Sequence, residues 1–324
     1  MKISPLFSYI KKGELTLNTF VSKKETIISY VIAFVFILAM VAVSVMLKDR
    51  EVILPEMAAM AIAMWVYREA GWIRQPSKIF LAPSLTAAIG FAVNQLSIAY
   101  FGKVILTLVL LMLFLRIIQS NLAPSMATGL LPLVMNATEW SFIISVFTFT
   151  ILLMLGVLVF GLNKGLEKKV QIQYKYMIVF FALNIVWIGL VWVAGYPQLA
   201  VIPPILVVVY EVLQKPMYNG KMAFKQGLVL TISATVGTLL YFAIHSWILI
   251  TLLAMILMII LLRIVGIRMP AVYAFPLLPF VFPDEIIIRL PIGSLVASVF
   301  FFGSVLMFKK VEMKRNKTEM QIQD

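Results

Sequence analysis

Long runs of uncharged, apolar residues constrain this chain more than any other feature. Residues 27–47, 141–162, 177–194 and 247–262 are each about as long as a bilayer crossing, which takes ~20 apolar residues at ~1.5 Å per residue. Charge is sparse and sits between the runs: only 13% of residues are Asp, Glu, Lys or Arg, where a soluble domain carries about 25% spread throughout. The expected class is an all-α polytopic membrane protein. Run 27–47 is too long for the apolar core of a signal peptide and leads into further spans, so it reads as a retained first span. The expected localisation is the cell (plasma) membrane of a bacterial-type inner membrane, multi-pass.

The apolar chain also repeats itself. Residues 116–134 (RIIQSNLAPSMATGLLPLV) and 263–281 (RIVGIRMPAVYAFPLLPFV) match without a gap at seven of nineteen positions, 147 residues apart. At the same offset, Lys78, Leu81, Thr86-Ala87 and Gly90 return as Lys225, Leu228, Ser233-Ala234 and Gly237. Matches at Leu and Val are cheap in an oily chain, but ungapped Lys, Gly, Arg and Pro matches are not. Upstream, Pro55 opens an apolar stretch ending in Tyr67-Arg68-Glu69, and Pro204 opens one ending in Tyr210-Glu211, with the register slipping by several residues.

This divides the chain into a basic tail (1–26), a first repeat (27–163), a basic linker (164–175), a second repeat (176–308) and a basic tail (309–324). Each repeat offers about six apolar segments: 27–47, 52–67, 79–99, 103–118, 122–135 and 141–162, then 176–194, 198–212, 226–243, 246–265, 269–282 and 286–308. The second and fifth of each set are short and carry prolines, which leaves 8–12 spans in total. An even number per repeat places both in the same orientation, related by a pseudo-two-fold along the membrane normal.

With the first tail inside, alternate loops collect Arg68, Arg74, Lys78, Arg116, Lys164, Lys215, Lys221, Lys225, Arg263, Arg268 and Lys309. This bias follows the positive-inside rule and predicts cytoplasmic N- and C-termini. It accounts for most of the formal charge of +13 without a nucleic-acid partner. With no cysteine and a single histidine, His245, thiol chemistry and a histidine-built metal site are ruled out. No phosphate-binding Gly-Lys-Ser/Thr loop, HExxH or Gly-x-Ser-x-Gly motif occurs. No catalytic residue, metal site or cofactor is expected.

Residues 75–90 (QPSKIFLAPSLTAAIG) resemble a signature of the HPP family of integral membrane proteins: a Gln-Pro, a small-residue helix, and a Gly fourteen residues after the Pro, here Pro76 and Gly90. The family's His-Pro-Pro run would fall on 122–128 and again on 269–274, where each copy keeps a proline and an alanine and lacks the histidine. The resemblance implies a small integral membrane protein, with transport of a nitrite-like anion.

Proline-broken segments at matching places of two repeats point to a transporter's site. Their exposed backbone must be sheltered from lipid, and a helix starting at midplane aims its N–H groups at whatever binds there. On that reasoning Pro124 and Pro270, with Ser125 and Thr128, are candidates for a substrate path. Arg116 and Arg263 are the paired guanidinium groups that would attract an oxyanion if they reach a cavity, and would otherwise snorkel to the membrane surface. Thr86 and Ser233 head small-residue faces that favour close helix packing and could line the path. Glu69, Glu211, Lys78 and Lys225 are candidates for coupling or ion pairing; Glu56 has no acidic counterpart near Pro204. The leading expectation is a transporter or channel for a small anion, its site at the repeat interface and its partners the lipid bilayer and that anion. Two alternatives stand beside it: a non-transporting membrane scaffold or accessory subunit, and a lipid-modifying enzyme using Glu56, Glu69 or Glu211. Whether a homo-oligomer forms is left open.

Overall fold

The computed structural model describes residues 23–167 and 173–323, with side chains to 315. The expected tail (mostly 1–22) and the centre of the basic linker, with Lys168 and Lys169, lie outside the described residues. Among those described there is no strand, and nine helices are long and apolar enough to cross a membrane by length and composition. The chain is an all-helical, multi-pass membrane protein.

Eight long helices form the outer wall: α1 (Lys23–Leu47), α4 (Pro76–Asn94), α5 (Tyr100–Ile117), α7 (Trp140–Val159), α8 (Tyr174–Val193), α10 (Gly220–Ala243), α11 (Trp247–Val265) and α13 (Leu290–Gln323). Their outward faces expose Val31, Val35, Ile144, Ile178, Leu239 and Val299. Rows of exposed large apolar side chains on every wall helix suit a hydrocarbon surround and would not stay dispersed in water. Helix α13 extends well past residue 308, so the expected basic tail is a helical continuation rather than a separate segment.

The proline-started pieces fill the interior. They are α2 (Pro55–Ala61, running on as a π-helical turn over Ile62–Val66), α6 (Pro124–Met135), α9 (Pro203–Gln214) and two 3₁₀ turns, Pro270–Tyr273 and Phe275–Phe280. Every residue of α6 from Pro124 to Val134, and of both 3₁₀ turns, is buried. Physical necessity puts them there. Ahead of α2 and α9 the chain is extended at Leu54 and Ile202, and such backbone groups, unpaired in a helix, are costly in lipid. The 270–280 segment does not form the continuous helix that α6 does, because Pro276 and Pro279 each delete a donor from the helix ladder. Two very short helices, α3 (Ala70–Ile73) and α12 (Asp284–Ile287), finish the connections.

Contacts sort the loops into two ends. At one, Arg68 meets Glu25, Lys78 reaches Gln119, Lys225 reaches Val265 and Arg116 lies over Tyr174. At the other, Arg50 meets Asp284, Lys103 reaches Asn94, and Glu51 accepts from the N–H groups of Thr138 and Glu139 at the start of α7. The first end holds most of the basic residues that the sequence assigned to alternate loops.

Candidate functional site

Four proline-started segments converge in the middle of the molecule. Pro55, Glu56 and Ala59 of α2, Pro124, Ala127 and Leu131 of α6, Pro203, Pro204 and Val207 of α9, and Ala271, Ala274 and Leu278 of the 3₁₀ turns enclose a pinch of only about 10 Å³. That is room for about one water-sized probe. All these side chains but one are apolar.

Above the pinch, at the basic end, a cavity of about 440 Å³ opens between the two halves of the chain. Val207 and Ala271 belong to both the pinch and the cavity, so the pinch is the cavity floor. Three cations, Arg74, Lys215 and Arg268, line it together with two carboxylates, Glu69 and Glu211. Trp72 Nε1 donates to Glu211 Oε1 at 2.7 Å, which points that carboxylate across the cavity. The Asn121 amide donates to Gln214, tying α6's approach to the end of α9. Glu69 sits in the loop beyond α2, where burial pushes its carboxyl up and Lys215 and Arg268 oppose the shift. At the opposite end a smaller recess of about 220 Å³ is lined by Asn94, Lys103, Asn136 and Gln198. It touches Leu133 and Val134, two and three residues beyond the pinch residue Leu131 along α6.

The sequence candidates separate into those that meet here and those that do not. Pro124, Pro270, Glu69 and Glu211 line the pinch or the cavity. Glu69 and Glu211 do so from unlike positions, one in a loop and one inside α9, so they are not a matched pair. Arg116 and Arg263 lie exposed in the last turns of α5 and α11, and neither lines the cavity. Arg116 Cζ instead stacks 4.6 Å from the Tyr174 ring centre. Lys78 and Lys225 each donate, at 2.6 Å, to a carbonyl at the end of the following long helix, Gln119 O and Val265 O. They cap helix C-termini, where a cation is favoured.

The hydroxyls are mostly committed. Thr86 donates to Ala82 O and Pro83 O, Thr128 to Pro124 O, and Ser233 to Val272 O at 2.7 Å. Ser125 Oγ is buried without a partner. The helix starts that were expected to present free N–H groups hold them in turns: Ser125 N donates to Leu122 O, Met126 N to Ala123 O, and Val272 N to Met269 O. Pro270 moreover starts a 3₁₀ turn, which has little dipole to offer.

Glu56, Lys215 and Arg268 were the residues that sequence reasoning underrated. By sequence Arg268 and Lys215 are loop charges, and only the fold turns those loops over a cavity. Glu56 was set aside for lacking an acidic counterpart, yet its carboxylate is 4% exposed and neither oxygen has a hydrogen-bond partner. Among the described residues no group of three or more His, Cys, Asp or Glu side chains is placed to hold a metal ion. No protein-family model, curated protein or solved structure matches the chain.

Proposed function

We propose that the chain is a transporter or channel for a small solute, most simply a small anion, whose path runs between two parallel repeats. The observation that carries the reading is the wide cavity at one end, floored by a pinch built from four interior broken segments, with a smaller recess at the opposite end that shares no lining residue with the pinch. Broken backbone at membrane depth is tolerated only inside protein or against a wet cavity, and a transporter has a use for both. The wider cavity carries three cations against two carboxylates, which favours an anion at its mouth. The resemblance of 75–90 to the HPP family points the same way.

Recurring geometry at a spacing of about 147 residues supports the repeat. The Lys78 and Lys225 caps are one instance. Left-handed residues end matching helices, Lys48 with Gly195 and Gln119 with Gly266. Gly90 lies against Gly129, and Gly237 against Pro276. Both repeats then share one orientation, and the basic end faces the cytoplasm of a plasma membrane together with both termini.

The test is flux of nitrate into proteoliposomes, nitrate being a strong-acid anion that does not cross as a neutral acid. Wild type should carry it, and Arg268→Gln should lower the rate about tenfold, the effect of losing ~1.4 kcal/mol of attraction. Arg116→Gln should leave it unchanged. No flux in wild type would sink the anion reading. Glu69 and Glu211, two carboxylates beside the cavity, favour one rival, an enzyme acting on a lipid headgroup. Turnover of phospholipid by the purified protein, abolished in Glu211→Gln with nitrate flux absent, would establish that instead.

A further inference from the structure

We propose that the Glu56 carboxyl is the proton-carrying group of this path, loading from one recess and unloading to the other; the inference rests on the transport reading above. Among the described residues Glu56 is the single titratable side chain at the pinch, surrounded by eleven residues of Pro, Ala, Val and Leu. It is 4% exposed and both its oxygens lack a hydrogen-bond partner. Thr128 faces it from α6, its hydroxyl within reach of both that carboxyl and Pro124 O, the latter at 3.1 Å.

A bare carboxylate in such a place is held at a cost of several kcal/mol, and it is relieved by any cation that reaches it. The space selects which cation. Hard metal ions need several oxygen ligands, and here a single carboxylate stands among apolar walls with about 10 Å³ free. A proton needs neither ligands nor room. The path from the basic end is short, because Val207 and Ala271 line both the pinch and the cavity.

No neighbouring charge takes over the role. Helix α2 packs against α1, α6, α7 and the two 3₁₀ turns. Helices α6 and α7 carry no titratable side chain. Helix α1 brings Lys23, Lys24 and Glu25 at its start, the end at which Glu25 meets Arg68. Tyr30 of α1 and Tyr273 of the first 3₁₀ turn face one another and Tyr67, and none of the three lines the pinch. Helix α9, which completes the pinch, adds Tyr210 and Glu211; Glu211 is held by Trp72 in the cavity above. The chemistry balances simply: carboxylate plus one proton gives the neutral acid, which returns that proton on the far side.

Two measurements test this. Infrared difference spectra of the whole protein between acid and alkaline pH should show a carboxylic C=O band that is lost in Glu56→Gln. A band unchanged by that substitution would overturn the proposal. In proteoliposomes loaded with a pH dye and clamped with potassium and valinomycin, inward nitrate should acidify the lumen. Proton movement per nitrate should fall to background in Glu56→Gln; a ratio equal to wild type would overturn it. If Glu56→Gln carries no nitrate or fails to fold, Glu56→Asp decides. A pH profile of flux displaced from wild type supports the proposal, and an unmoved profile sinks it. Absence of nitrate flux in wild type would remove the anion reading and leave Glu56 to be judged by the infrared band.

Discussion

Certain helix ends and helix crossings in the first half of the chain have counterparts in the second, built from different residues. Where the first half ends α1 and α5 on Lys48 and Gln119, at φ of 54° and 50°, the second ends α8 and α11 on Gly195 and Gly266, at 79° and 69°. Where the first half threads Gly90 against the backbone of Gly129, the second sets Gly237 against Pro276, and a 3₁₀ turn replaces a helix. Where α2 carries Glu56 just after its first proline, α9 carries a second proline, Pro204. The scaffold positions tolerate exchange so long as backbone shape is kept. The acidic side chain at the centre, Glu56, has no such counterpart.

The sharpest way to break the comparison is at the helix crossings. A Cβ on Gly90 would sit 1.8 Å from Gly129 O, while one on Gly237 would sit 2.5 Å from Pro276 Cα. Both neighbours are backbone, so neither can rotate away, and overpacking of this kind costs about 1–3 kcal/mol, more where the contact is as close as at Gly90. Gly90→Ala should therefore remove most folded protein from detergent extracts, and Gly237→Ala should do so less completely. Monodisperse yield on size exclusion reads both. Equal tolerance of the two would show that these crossings are not the tight points of the fold.

A smaller effect sharpens the comparison of helix ends. Non-glycine residues in the left-handed region carry a strain of about 1–2 kcal/mol. Gln119→Gly should stabilise the first half by roughly 1 kcal/mol, and Gly266→Ala should cost the second about as much. Thermal unfolding followed by intrinsic tryptophan fluorescence would show opposite shifts. Shifts of the same sign would break the equivalence of the two ends.

The smallest effect concerns the two lysine caps. Lys78→Met and Lys225→Met each remove one charge-assisted bond to a helix-terminal carbonyl, worth about 0.5–1 kcal/mol near a solvated surface. The two should lower the unfolding temperature by similar amounts. A loss of nitrate flux from either, with stability unchanged, would return these lysines to the path.

Much of the architecture was legible beforehand because membrane folding leaves few options. Apolar length sets the spans, so the wall helices begin and end within a few residues of the expected segments at 103–118, 141–162 and 246–265. Proline placement marked the four broken segments, and the ban on unpaired backbone in lipid put them inside. Less of the site was legible. Arg116 and Arg263 are matched charges in the sequence, yet both lie outside the cavity. Glu56 has no acidic match at the corresponding place in the second half, so sequence matching gives it no weight.

Sequence alone determined that this chain is long and apolar enough to cross a membrane many times, that its basic loops alternate, and that its second and fifth segments in each half are short and carry prolines. Those are local properties, set by transfer free energy and by the missing N–H of proline. Only the tertiary structure decided which charges meet: Lys215 and Arg268 over the cavity, Glu56 alone at the pinch, and Arg116 turned away onto Tyr174. Such meetings depend on the rotation of each helix about its axis, and that rotation is set by packing across the whole bundle, which no short stretch of residues encodes.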